Sequence, residues 1–165
     1  MTPGGTTSWS FSPGDSQKIE EILNTLLYES NARCALLVDR TGQLVTTVGE
    51  QPSFDSAAFA SLTAADFSAN DQLASLIGEE EFSSLFHQGR SESMYLADVS
   101  KRLILVVLFN QQTTLGLVRI KIRDAVKGLN KAFKEVFGRP DQKGPALERG
   151  FVDEAEDEID RLFRE

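Results

Sequence analysis

Between Thr41 and Gly89, a run of 49 residues, the chain has no lysine and no arginine, yet it carries seven acids: Glu50, Asp55, Asp66, Asp71, Glu79, Glu80 and Glu81. The middle of that run, Asp55 to Ile77, reads as one long helix with only Asp66 and Asp71 as charges inside it. A solvated helix normally mixes charge signs on its outer face and turns an apolar stripe inward. This helix has little that water would favour. It is expected to be covered on more than one side, with part of the cover supplied by another chain.

Other scarcities exclude whole classes of chemistry. The single cysteine, Cys34, rules out an internal disulfide and fits a reducing compartment. Cys34 sits in an apolar stretch, where a buried thiol is inert. With one cysteine and one histidine, His87, a zinc site would need two carboxylates placed by the fold, so no metal and no cofactor is expected. His87 is read as structural, because no G-x-S-x-G nucleophile elbow accompanies it. No G-x-x-x-x-G-K-[ST] phosphate loop exists, so the chain is not itself a nucleotide hydrolase of that type. No apolar run approaches the ~20 residues that span a bilayer, and membrane insertion is not expected. Residues 1–14 are rich in Ser, Thr, Gly and Pro and lack a basic-then-apolar signal pattern. They read as a flexible lead, and the cytoplasm is the expected location.

What is present suits one domain. The 165 residues are 41% hydrophobic and 25% charged, enough to build a real core. The net charge of −8 is unevenly spread. Residues 91–140 carry a net positive charge, through Arg119, Lys121, Arg123, Lys127, Lys131 and Lys134 among others, and residues 141–165 a net negative one. That positive block suits a phosphate or the chain's own acidic end. Nucleic acid is not expected as a partner, since phosphate neutralisation needs clustered cations throughout an exposed face.

Periodicity places the elements. Asp15 is the expected cap of a first helix with the stripe Ile19, Ile22, Leu23, Leu26 and Leu27, stopping at Asn31. Cys34–Val38 and Leu44–Val48 form a hairpin around Asp39-Arg40-Thr41-Gly42. In the long helix, Ala58, Leu62, Ala65, Ala69, Leu73 and Leu76 read as the core stripe. A second stripe of small residues is expected to meet a partner: Ala57, Ala60, Ser61, Ala64, Ser68, Asp71, Gln72 and Ser75, with Phe67 beside it. Phe82–Gln88 and Ser93–Val99 read as strands. In Leu103–Phe109 both alternating faces are apolar, the signature of a central strand between two layers. A last helix from about Thr113 to Phe137 repeats Leu115, Val118, Ile122, Val126, Leu129, Phe133 and Val136.

Residues 139–150 read as a linker. Beyond it, residues 151–165 carry seven acids and the narrow stripe Phe151, Ala155, Ile159, Leu162 and Phe163. An isolated helix of that length is marginal in water. Two readings stay open: a solvated tail, or an amphipathic helix that docks in a groove with Ile159, Leu162 and Phe163 as anchors. Two phenylalanines at helical spacing favour docking.

The ordered set LLVDRTGQLV, SLTAADFSA, LIGEEEF, FHQG, LILVVLF and TTLGLVRIKI, with EIDRLF near the end, resembles the roadblock/dynein-light-chain superfamily, close to its bacterial gliding-motility regulators. The resemblance implies an α/β (α+β) three-layer sandwich over residues 15–138: a five-stranded antiparallel sheet with one long helix on one face and two on the other. It also implies a homodimer whose sheets join edge to edge and whose long middle helices lie side by side. That helix pair would receive one Ras-like small GTPase per dimer, stimulating GTP hydrolysis and, through the C-terminal helix, nucleotide exchange. Control of cell polarity and motility, with concentration at a cell pole, follows as the corresponding expectation. The alternative is an adaptor of the same fold that binds without changing the rate. The chain departs from the family in the helix, with Ala64-Ala65-Asp66 where Ala-Gly-Asn is usual, and with Ser68 and Gln72 where smaller residues are common.

Overall fold

The computed structural model describes residues 11–138. In chain order these form α1 (Pro13–Ser30), β1 (Cys34–Asp39), β2 (Leu44–Gly49), α2 (Ser56–Leu76), β3 (Ser84–Gln88), β4 (Glu92–Val99), β5 (Leu103–Asn110) and α3 (Leu115–Phe137). The strands make one antiparallel sheet in the order β2-β1-β5-β4-β3, which leaves β2 and β3 as edges. The expected flexible lead and linker, and the C-terminal stripe from Phe151 to Phe163, lie outside the described residues, apart from residues 11–14 of the lead.

Alternation along the two inner strands builds both cores. On β5, Leu103, Leu105, Val107 and Phe109 point into a layer formed by α1 and α3, where they meet Ile19, Leu23, Leu26, Ile122, Leu129 and Phe133. The alternate residues Ile104 and Val106 face α2, together with Cys34, Leu36 and Val38 of β1. Both faces of β5 are therefore buried, as its unbroken apolar run requires. The sheet carries two helices on one face and one on the other, as expected from the sequence.

Helix ends follow capping chemistry. Ser12, one residue before α1, accepts from the Asp15 backbone N–H, and the Asp15 carboxylate accepts in return from the Ser12 N–H. Asp15 is thus the return arm of a capping box, and the cap is Ser12, because Pro13 already belongs to the helix and lacks the donor that an interior turn needs. The Asp55 carboxylate caps α2 through the N–H groups of Ala57 and Ala58. Past Ile77, Gly78 takes φ +87°, and there α2 ends.

Candidate functional site

The β1–β2 turn sets the position of α2. Buried Asp39 accepts from the N–H groups of Thr41 and Gln43 and from the Thr41 hydroxyl at 2.6 Å, folding the turn back on itself. Gly42 completes it at φ +95°, and a Cβ there would lie 3.1 Å from the Ser61 Cα. The helix rests directly on that glycine.

The sheet-facing side of α2 consists of Ala60, Thr63, Ala64, Phe67, Asn70 and Ala74. This inverts the expected phase. Ala60, Ala64 and Phe67, assigned to a partner, are buried inside the subunit, whereas the expected core stripe of Ala58, Leu62, Ala65, Ala69, Leu73 and Leu76 is exposed. The physical reason is spacing. A lone helix lying close on a sheet needs small residues beneath it, and here alanines flank one large knob, Phe67. Of the remaining expected contact residues, Ala57, Ser61, Ser68, Gln72 and Ser75 are exposed along one flank, and Asp71 is half-buried.

The outer face of α2 is therefore a stripe of carbon. Leu62 is 71% exposed, Leu73 58%, Leu76 82% and the adjoining Ile77 70%. Covering these four side chains would contribute about 4–8 kcal/mol once their present partial burial is discounted. That is of the order of the ~4–15 kcal/mol that association costs. Exposed apolar stripes of this kind are characteristic of protein-contact surfaces in general.

Two polar ties hold the flanks. Arg40, from the β1–β2 turn, donates from Nη1 to Asp71 Oδ2 at 2.9 Å and from Nη2 to Asp98 of β4. Its guanidinium also stacks 4.6 Å from the Phe67 ring centroid. The cation-free helix thus has a cation beside it, Arg40, supplied by the β1–β2 turn. Arg40 is already held by two carboxylates. On the other tie, His87 of β3 meets Asp66 of α2. The buried Asn70 Nδ2 has no partner among the described residues.

Nothing among the described residues resembles a reaction centre. No group of three potential metal ligands occurs there. Two clefts among the described residues, of about 230 and 190 Å³, are below the ~300–1,000 Å³ usual for small-molecule sites. Cys34 is buried, and its thiol pKa is raised by that burial, an effect that its contact with Thr47 at 3.7 Å partly offsets. No described helix is long and apolar enough to cross a membrane.

Comparison with known proteins agrees with this architecture. The Roadblock/LC7 domain model matches residues 18–109. Among solved structures, MglB of Myxococcus xanthus is 42% identical, with a TM-score of 0.69 over 72% of this chain and 96% of that one. The gliding protein MglB of Thermus thermophilus is 28% identical, with a TM-score of 0.73 over 79% of this chain and 99% of that one. A further MglB structure, described as having a tetrameric arrangement, aligns with the same identity and TM-score. Comparison with curated protein sequences returned no match.

Proposed function

The chain belongs to the Roadblock/LC7 domain family, and on that premise we propose that it is a homodimeric regulator of a Ras-like bacterial small GTPase in the control of cell polarity and motility. One GTPase sits on each dimer. The dimer accelerates GTP hydrolysis, and residues 151–165 promote nucleotide exchange. The GTPase follows from the family resemblance. The observation that carries the surface is the outer face of α2, apolar, cation-free and uncovered in the single subunit.

The twin subunit is assigned to the β3 side. Among the described residues β3 pairs only with β4, so its outer edge leaves backbone donors and acceptors for a second strand. The His87–Asp66 contact ties that edge to α2, so joining two β3 edges brings two α2 helices together. The GTPase then rests on Leu62, Ala65, Ala69, Leu73 and Leu76 of both, with Ala57, Ser61, Ser68, Gln72 and Ser75 at the rim.

Activators that insert an arginine are worth ~10³–10⁵ in rate. The α2 surface offers none, and Arg40 is committed to Asp71 and Asp98. The mechanism is therefore preferential binding of a GTPase conformation whose own catalytic groups are aligned, which needs several kcal/mol of differential affinity for a full shift. The same lack of a free arginine on the α2 surface favours the second reading, an adaptor that binds without changing the rate. Single-turnover GTP hydrolysis by the cognate GTPase, with and without the dimer, decides between them: faster hydrolysis supports the activator, and binding with an unchanged rate supports the adaptor.

A further inference from the structure

Helix α3 presents a second unpartnered surface on the opposite side of the sheet. Arg119, Arg123, Lys127, Lys131 and Lys134 are all exposed or half-exposed and project within one wedge, opposite the buried Val118, Ile122, Leu129 and Phe133. None has a carboxylate partner among the described residues. The neighbouring cations behave differently: Lys121 pairs with Glu29 at 3.2 Å and Lys18 with Glu135 at 3.1 Å. Ile120, 55% exposed, lies in the same wedge near its N-terminal end, with Leu117 and Asp124 at its border.

Like charges crowded on one helix face repel each other, so this face favours an acidic occupant. The chain contains one of matching size. Residues 151–165 hold seven acids, and as a helix they would be about 22 Å long, the same as the rise from Arg119 to Lys134. Residues 139–150 join them to the end of α3. A random-coil chain of about twelve residues has a root-mean-square span of about 20 Å, enough to turn back along the helix.

We propose that residues 151–165 dock antiparallel on the basic face of α3 in the free protein. In that register residues 153–158, five acids among them, run level with the stretch of α3 that holds Lys134, Lys131 and Lys127. Leu162 and Phe163 come within one turn of Ile120, and Arg161 comes level with Asp124. Each exposed ion pair contributes little alone. Tethering offsets this, because a short flexible linker gives an effective concentration of about millimolar. The inference stands on charge and length and does not depend on the GTPase reading, beyond making the segment that acts on a partner the one stored on α3.

The test uses the full-length protein without any GTPase. A spin label is placed at residue 165 (Glu165→Cys in a Cys34→Ala background), and amide signals are followed by NMR. Docking predicts broadening of the amides around Leu117 to Asp124. The broadening should be lost in Lys127→Glu/Lys131→Glu/Lys134→Glu and fall at least several-fold between about 0.05 and 0.5 M salt. Broadening of α2 amides instead, or none anywhere, would overturn the proposal. So would sedimentation of the full-length protein with phosphatidylglycerol vesicles through the same lysines, which would make a lipid surface the occupant.

Discussion

His87 Nε2 lies 2.6 Å from Asp66 Oδ2, so the chain's one histidine joins α2 to the edge strand β3. Both side chains are partly exposed, which limits such a pair to ~0.2–1 kcal/mol. His87→Ala should therefore barely change the unfolding of the subunit. It should weaken dimer association by up to about five-fold, as measured by analytical ultracentrifugation. An unchanged dissociation constant would remove this pair from the seam between subunits.

The exposed stripe makes a sharper prediction. Leu73→Asp combined with Leu76→Asp should leave circular dichroism and thermal unfolding near those of the parent, because neither leucine supports the core. GTPase binding should weaken by at least about 100-fold, at ~1.5–3 kcal/mol for each buried leucine. Retained affinity in a titration would move the interface away from α2.

Ser68 and Ala64 separate interface from core. Ser68→Arg places a long cation on the exposed flank and should impair partner binding with the fold intact. Ala64→Arg forces the same group beneath the helix, where Ala64 is only 8% exposed, and should unfold or aggregate the chain. Expression and melting curves of the two variants, compared side by side, check the assignment.

Arg40 tests the lock on α2. Arg40→Ala leaves Asp71 and Asp98 without their cation and uncovers the Phe67 ring. A loss of about 2 kcal/mol is expected in urea unfolding. Asp71→Asn should cost less, since Asp98 still holds the guanidinium. Equal losses would mean that Asp98 contributes nothing.

Cys34 gives a pH signature. Burial holds its thiol pKa above the ordinary value. Above about pH 8.5 the unfolded chain releases this proton while the folded chain keeps it, so stability falls as pH rises through that window until the folded thiol also ionises. Cys34→Ala should flatten that part of the stability profile. Native Cys34 should also react with a thiol reagent far more slowly than the urea-unfolded chain.

The strands and helices were legible because their patterns are clean: an unbroken apolar run in Leu103–Phe109, and steps of three and four along α3. The phase of α2 was not. Both of its sides are apolar, and the exposed one carries the larger residues, so hydrophobicity points away from the sheet. The usable signal was size, with alanines around a single phenylalanine at Phe67. The Arg40 tie was hidden for a different reason. Its partners Asp71 and Asp98 are 31 and 58 residues away, and only the folded chain brings them together. The resemblance supplied the layer order, but it did not supply the orientation of one helix about its own axis.

Because the leucine stripe of α2 carries no charge of its own, the contact itself adds nothing to long-range steering, so selectivity between related switch proteins must reside in how slowly the right one leaves.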